Sequence, residues 1–232
     1  MLRIIKDYIK ALFLRLPSTM VLVFHHVSDN PRKELSRCKL NTREFYDIID
    51  SFNNYRTYDE LINNCSSYGT VVTFDDGLED LFTVAYPYLK QKNVPFIVFV
   101  ISDYIDNVGY LTKAQLVELA KDPLVTIGSH SKDHGTMSEM QEMSQYNQAV
   151  QSKAVIEKLI GRQITTFAYP HGQFNRSSRK VLRIAEYQSA FSVNPATANL
   201  FSCIDKYKIP RYNVDYKSLN LIKEIARIRR QI

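Results

Sequence analysis

The chain has 232 residues, 45% of them hydrophobic and 23% charged, with 30 basic against 24 acidic side chains for a net charge of +6. Seven Gly and eight Pro are too few for a linker-rich or collagen-like chain, while 15 Tyr and 12 Phe supply ample core material, so disorder, coiled coil and fibre are excluded. Three widely spaced cysteines, Cys38, Cys65 and Cys203, suggest neither a disulfide framework nor a thiolate metal site, and point to a reducing compartment.

The first expected element is an amphipathic helix with a basic outer face, because Leu2, Ile5, Ile9, Leu12, Phe13 and Leu16 recur at helical spacing before Pro17. Arg15 and Pro17 interrupt its apolar stretch and no small-residue cleavage site follows, so neither a signal peptide nor a spanning helix is read there. Residues 1 to 16 carry +3 and residues 216 to 232 carry +4, which leaves the body between them near neutral.

Met20 to His26 reads as a buried strand and Thr42 to Phe52 as a helix. A βα alternation follows: strand Gly69 to Asp75, helix Leu78 to Lys92, strand Pro95 to Ile101, helix Thr112 to Lys121, strand Leu124 to Ser129. A long helix from Glu139 to Ile160 closes on Gly161, a C-terminal cap, before strand Thr165 to Tyr169, helix Asn175 to Tyr187 and strand Ser189 to Val193. A loop to Lys208, a last strand Ile209 to Val214 and a final helix Leu219 to Arg230 complete the reading, with core 20 to 215 in a single domain. Six or seven buried strands, each followed by a helix, fit either a barrel or an open doubly wound sheet, and no dinucleotide glycine fingerprint follows any strand.

Chemistry gathers at the strand ends. His25 and His26, Asp75 and Asp76, His130, and Tyr169-Pro170-His171 would converge on one mouth of a parallel barrel. In Thr73-Phe74-Asp75-Asp76-Gly77 two adjacent carboxylates repel unless a cation neutralises them. One can ligate a metal while its neighbour acts as a base, or the pair can simply cap a helix. In His130-Ser131-Lys132-Asp133-His134 the histidines are four apart and, with one carboxylate, make a three-ligand set with a position left for water; the alternative is two surface loop histidines.

These blocks, with Phe167-Ala168-Tyr169-Pro170-His171-Gly172, resemble the polysaccharide deacetylases, carbohydrate esterase family 4 with its NodB homology domain, over roughly residues 20 to 215. The resemblance implies an α/β fold, a distorted (β/α) barrel of about seven parallel strands. It implies one divalent metal held by Asp76, His130 and His134, zinc first and cobalt, nickel, manganese or iron as alternatives. Asp75 would be the general base in removing the N-acetyl group of an amino sugar, and the backbone N–H of His171 would hold the oxyanion. Tyr169 and Pro170 would bind substrate, with Phe174 beside them in the sugar groove.

Two departures from the family pattern stand out. Ala168 replaces the Arg that orients the base, and Arg211 in Ile209-Pro210-Arg211-Tyr212 is the candidate replacement. No late histidine is available as general acid, so the role falls to His25 of Phe24-His25-His26-Val27, with His26 facing the opposite way by strand alternation.

The expectation is a cytoplasmic deacetylase of cell-surface glycan biosynthesis, acting on a short or lipid-linked N-acetylated saccharide. Its basic ends would either touch the inner membrane face or cap the barrel. An O-deacetylase or amidase with the same metal set and a non-catalytic sugar-binding relative are the alternatives. A nucleic-acid partner is excluded for want of a recognition motif, and the oligomeric state is left open.

Overall fold

The structure, a computed structural model, describes residues 18–29, 39–198 and 204–230. The amphipathic helix expected before Pro17, and Cys38 and Cys203, lie outside the described residues; Cys65 is a buried free thiol. Among the described residues no helix is long and apolar enough to cross a membrane.

Seven parallel strands form the central sheet: β1 Thr19–Phe24, β4 Gly69–Phe74, β5 Phe96–Val100, β6 Val125–Ser129, β7 Thr166–Ala168, β8 Ser189–Phe191 and β9 Tyr212–Asn213. Their order is β8-β7-β6-β5-β4-β1-β9. A separate pair, β2 His26–Val27 and β3 Lys39–Leu40, stands beside it. Residues 209–214 reach both edges of the sheet. The Ile209 N–H donates to the Ala190 carbonyl at 2.9 Å on the β8 side, and the Val214 N–H donates to Val23 at 2.9 Å on the β1 side. This is the distorted (β/α) barrel, drawn together by one short C-terminal segment.

Strand alternation divides the core into two layers. Met20, Leu22 and Phe24, then Val72 and Phe74, then Phe96, Val98 and Val100 point outward. They pack on helices α1 Thr42–Ser51, α3 Tyr86–Gln91, α4 Lys113–Lys121, α5 Glu142–Ile160, α6 Arg176–Ile184 and α7 Leu219–Arg229. Val21, Val71, Ile97, Phe99, Ala168, Phe191 and Ile209 form the inner layer. Into it α2, Tyr58–Asn63, inserts Tyr58, Leu61 and Ile62.

Several boundaries differ from the sequence reading. The strand expected to run to His26 breaks at His25, because its last partner is Phe74 and the next strand turns away at Asp76. The helix expected from Leu78 opens as a widened π turn over Leu81–Ala85, and Pro87, with no N–H to donate, falls just beyond it. The long helix begins at Glu142 rather than Glu139, after a 3₁₀ turn over Met137–Glu139, and ends on Gly161 at φ 70°. Helix α2 was absent from the reading altogether.

The basic C-terminal helix buries one of its charges, while Arg227 stays exposed and pairs with Glu224. Arg229 is buried, donates to the Ser18 carbonyl at 2.7 Å and lies over the Tyr68 ring, while Lys223 pairs with Asp47 at 3.0 Å.

Candidate active site

The carboxyl ends of β1, β4, β6 and β7 carry the candidate residues, and each ligand-bearing turn is made possible by left-handed backbone. Asp76 (φ 70°), Ser131 (66°), His134 (65°) and His171 (57°) all adopt this conformation without being glycine. It is costly for L-residues, and such positions concentrate where function fixes the geometry.

Asp76, His130 and His134 offer three ligand atoms within 4.8 Å of one another. Asp76 Oδ1 lies 3.5 Å from His130 Nε2 and 3.4 Å from His134 Nε2, and it is buried without a hydrogen-bond partner. His130 donates from Nδ1 to the Ala168 carbonyl at 2.8 Å, which leaves its Nε2 lone pair turned to the cluster. Burial, reinforced by the neighbouring His130, lowers the pKa of His134 to about 4, so its imidazole is neutral and ready to ligate. An orphaned carboxylate oxygen beside two imidazole nitrogens is a donor set that fits a divalent transition metal.

Asp75 points into the barrel, 3% exposed, and meets Arg211, which is fully buried. The guanidinium donates from Nη1 to Oδ1 and from Nη2 to Oδ2, both at 2.7 Å, from Nη1 to Thr73 Oγ1 at 3.1 Å, and from Nε to the Ser192 carbonyl at 2.9 Å. Burial by itself would raise the Asp75 pKa, but the Arg211 charge and its two hydrogen bonds outweigh that and hold the carboxyl below the usual carboxylate range. Asp75 Oδ2 is 3.8 Å from His130 Nε2, which puts the ionised carboxylate against the candidate metal cluster. Arg211 also stacks over Phe99 and Phe191, in the same inner layer as the small Ala168.

His25 has a buried Nδ1 without a hydrogen-bond partner and is near enough for its charge to act on Asp75. His26 faces the other way and meets the partly buried Asp80. His171 packs edge-on against His134, ring centroids 4.5 Å apart.

One expectation is corrected. Tyr169 does not line a groove: it is fully buried, stacks on Phe174 at 4.7 Å and donates its hydroxyl to the Tyr207 carbonyl. Pro170 is buried beside it. The reason is parity, since Tyr169 shares the outward direction of Phe167, whereas Ala168 between them faces in.

The sequence reading also missed the groups that hold the ligand turns. Gln148 on α5 accepts from the Lys132 and Asp133 N–H groups at 3.0 and 3.2 Å, and Ser131 Oγ accepts from the His134 N–H at 3.1 Å. The available signal for the first was the run of polar residues, Gln145, Gln148 and Ser152, that shares the buried face of this helix with Ala149 and Ile156.

The profile of the polysaccharide deacetylase family matches residues 66–190, which carry Asp75, Asp76, His130, His134 and His171. The chain belongs to the polysaccharide deacetylase family. This family member is 30% identical over 129 residues to YxkH of Bacillus subtilis, whose name places it among polysaccharide deacetylases; the match covers 56% of this chain and 46% of that one. It is 28% identical over 170 residues to the poly-beta-1,6-N-acetyl-D-glucosamine N-deacetylase of Staphylococcus epidermidis, covering 66% of this chain and 57% of that one. The chain thus spans about half the length of the curated relatives it matches. Its fold is shared with IcaB from Ammonifex degensii at a TM-score of 0.79 and 22% identity, covering 90% of this chain and 97% of that one.

Proposed function

We propose that this family member is a metal-dependent hydrolase that removes N-acetyl groups from an amino-sugar-containing saccharide in cell-surface glycan biosynthesis. The observation that carries the reading is the pairing of an ionised, Arg211-clamped Asp75 with the Asp76, His130 and His134 cluster 3.8 Å away. The similarity to an N-deacetylase of poly-beta-1,6-N-acetyl-D-glucosamine supports the substrate class.

Asp76, His130 and His134 would hold the ion. A divalent metal bound there supplies Lewis acidity toward the acetyl carbonyl and makes a water acidic enough to lose its proton near neutral pH. Asp75 would serve as the proton acceptor: Arg211 keeps its carboxylate charged and fixes both oxygens, so the base is present without reorganisation. The His171 N–H stabilises the oxyanion. His25, at the barrel mouth near Asp75, gives a proton to the departing amine. Asp75 and His25 directly follow the neighbouring strands β4 and β1.

The test is acetate release from N-acetylated glucosamine oligomers by the metal-loaded chain. Wild type should release acetate, a chelator should stop it, and Asp75→Asn should lower turnover by about 10² to 10⁴-fold. Release from O-acetylated sugars alone would contradict the N-deacetylase reading.

A further inference from the structure

With Tyr169 in the core, the aromatic face that a sugar ring needs must come from another element. Saccharides present apolar C–H faces, and aromatic rings with a polar tip are the side chains suited to them. The loop that follows β5 carries two half-buried tyrosines, Tyr104 and Tyr110, and it is fastened to both ligand-bearing turns.

On one flank the Leu111 N–H donates to the Gly77 carbonyl at 2.9 Å, the Glu79 N–H donates to Gly109 at 2.9 Å, and Leu78 pairs antiparallel with Tyr110. Tyr110 therefore stands beside the turn that presents Asp76. On the other flank the Ser102 N–H donates to Ser131 at 3.3 Å, the Asp103 N–H donates to Lys132 at 2.9 Å, and Lys132 Nζ bonds Asp103 at 2.9 Å. The Tyr104 hydroxyl reaches the Asp133 carbonyl at 3.5 Å, one residue before the ligand His134. The two rings meet edge-on, centroids 4.9 Å apart, and so bridge from the Asp76 turn to the histidine loop.

We propose that Tyr104 and Tyr110 form the sugar platform of this site, with the ring of the N-acetylated residue lying on Tyr110. The inference rests on the reading of the chain as a saccharide deacetylase and assigns the residues that recognise the sugar. Tyr110 and Tyr104 hold substrate and take no part in proton transfer.

Two measurements on the metal-loaded full chain test it. The first is calorimetric binding of an N-acetylated glucosamine oligomer to Asp75→Asn, alone and combined with Tyr110→Ala, Tyr110→Phe or Tyr104→Ala. Tyr110→Ala should weaken binding about tenfold and Tyr110→Phe about threefold or less. The second compares acetate release from that oligomer with release from a small aryl acetate that has no sugar. For Tyr110→Ala the loss in kcat/KM on the oligomer should exceed the loss on the aryl acetate by about tenfold and reside in KM. Unchanged affinity in both alanine variants would overturn the platform, as would equal losses on the two substrates with reduced metal content, which mark damage to the ligand turn. Tyr-dependent binding of the oligomer by a wild type that releases no acetate would support the platform while contradicting the deacetylase reading.

Discussion

Asp75 stays ionised in the wall of a barrel because Arg211 is buried with it. A bidentate guanidinium matches both carboxylate oxygens, and Ser192 and Thr73 accept two of its remaining donor directions, so neither charge is left unsatisfied. Lysine could supply the charge but not the fork. In Arg211→Lys, burial of Asp75 is less completely offset and its pKa rises. Wild type, with Asp75 below the usual carboxylate range, should therefore keep its general base ionised throughout mildly acidic pH. The variant should lose kcat/KM at a higher pH, its acid limb displaced toward neutrality. A pH–rate profile identical to wild type would contradict the assignment of Asp75 as the base clamped by Arg211.

At the scale of elements, the alternation of each strand decides which side chains reach the chemistry and which only build the core. Gly128 on β6 faces the interior between β5 and β7, and a Cβ there would stand 2.7 Å from Phe99 and from Thr166 Cγ2. Two neighbouring side chains and the strand carrying His130 would have to move. Gly128→Ala should destabilise the fold by about 2 kcal/mol, read as a lower denaturant midpoint at unchanged slope. Equal stability would mean that the inner layer is looser than the structure shows. Much of this was legible in the sequence. The Asp75-Asp76 block and the His130, His134 spacing follow apolar strands, so their convergence needed only the βα alternation. Tyr169 was misplaced because the block it belongs to was read as a unit, although Phe167 and Tyr169 are two apart and must share a face. Helix α2 escaped because six residues give no period to detect; its Thr57 and Glu60 capping box was the usable sign.

At the scale of the whole molecule, a segment far along the chain completes a site begun near residue 25. Ile209 pairs with β8 and Tyr212 with β1, so Arg211 between them is delivered to the interior by the same residues that join the sheet edges. No sequence period announces that join, so Arg211 as the partner of Asp75 was legible only from the short Ile209-Pro210-Arg211-Tyr212 block. The electrostatics of the cluster are also a property of the assembled fold. Burial holds His134 at a pKa of about 4 against 6.5 for the free side chain. Because the folded value is the lower one, the neutral imidazole favours the folded state above pH 6.5, and that stability is lost as pH falls toward 4. The metal-free protein should show a falling thermal midpoint over that interval, and His134→Ala should remove part of the slope. An identical slope in the variant would contradict the burial of a neutral His134.

The proposed chemistry requires Asp76, His130 and His134 to act together as a metal centre with Asp75 outside it. Metal content by elemental analysis, after loading with zinc and removal of excess, tests that division in wild type, Asp75→Asn and His134→Ala. One equivalent is expected in wild type and in Asp75→Asn, and none in His134→Ala. Wild type that retains no metal, or His134→Ala that retains as much as wild type, would contradict it.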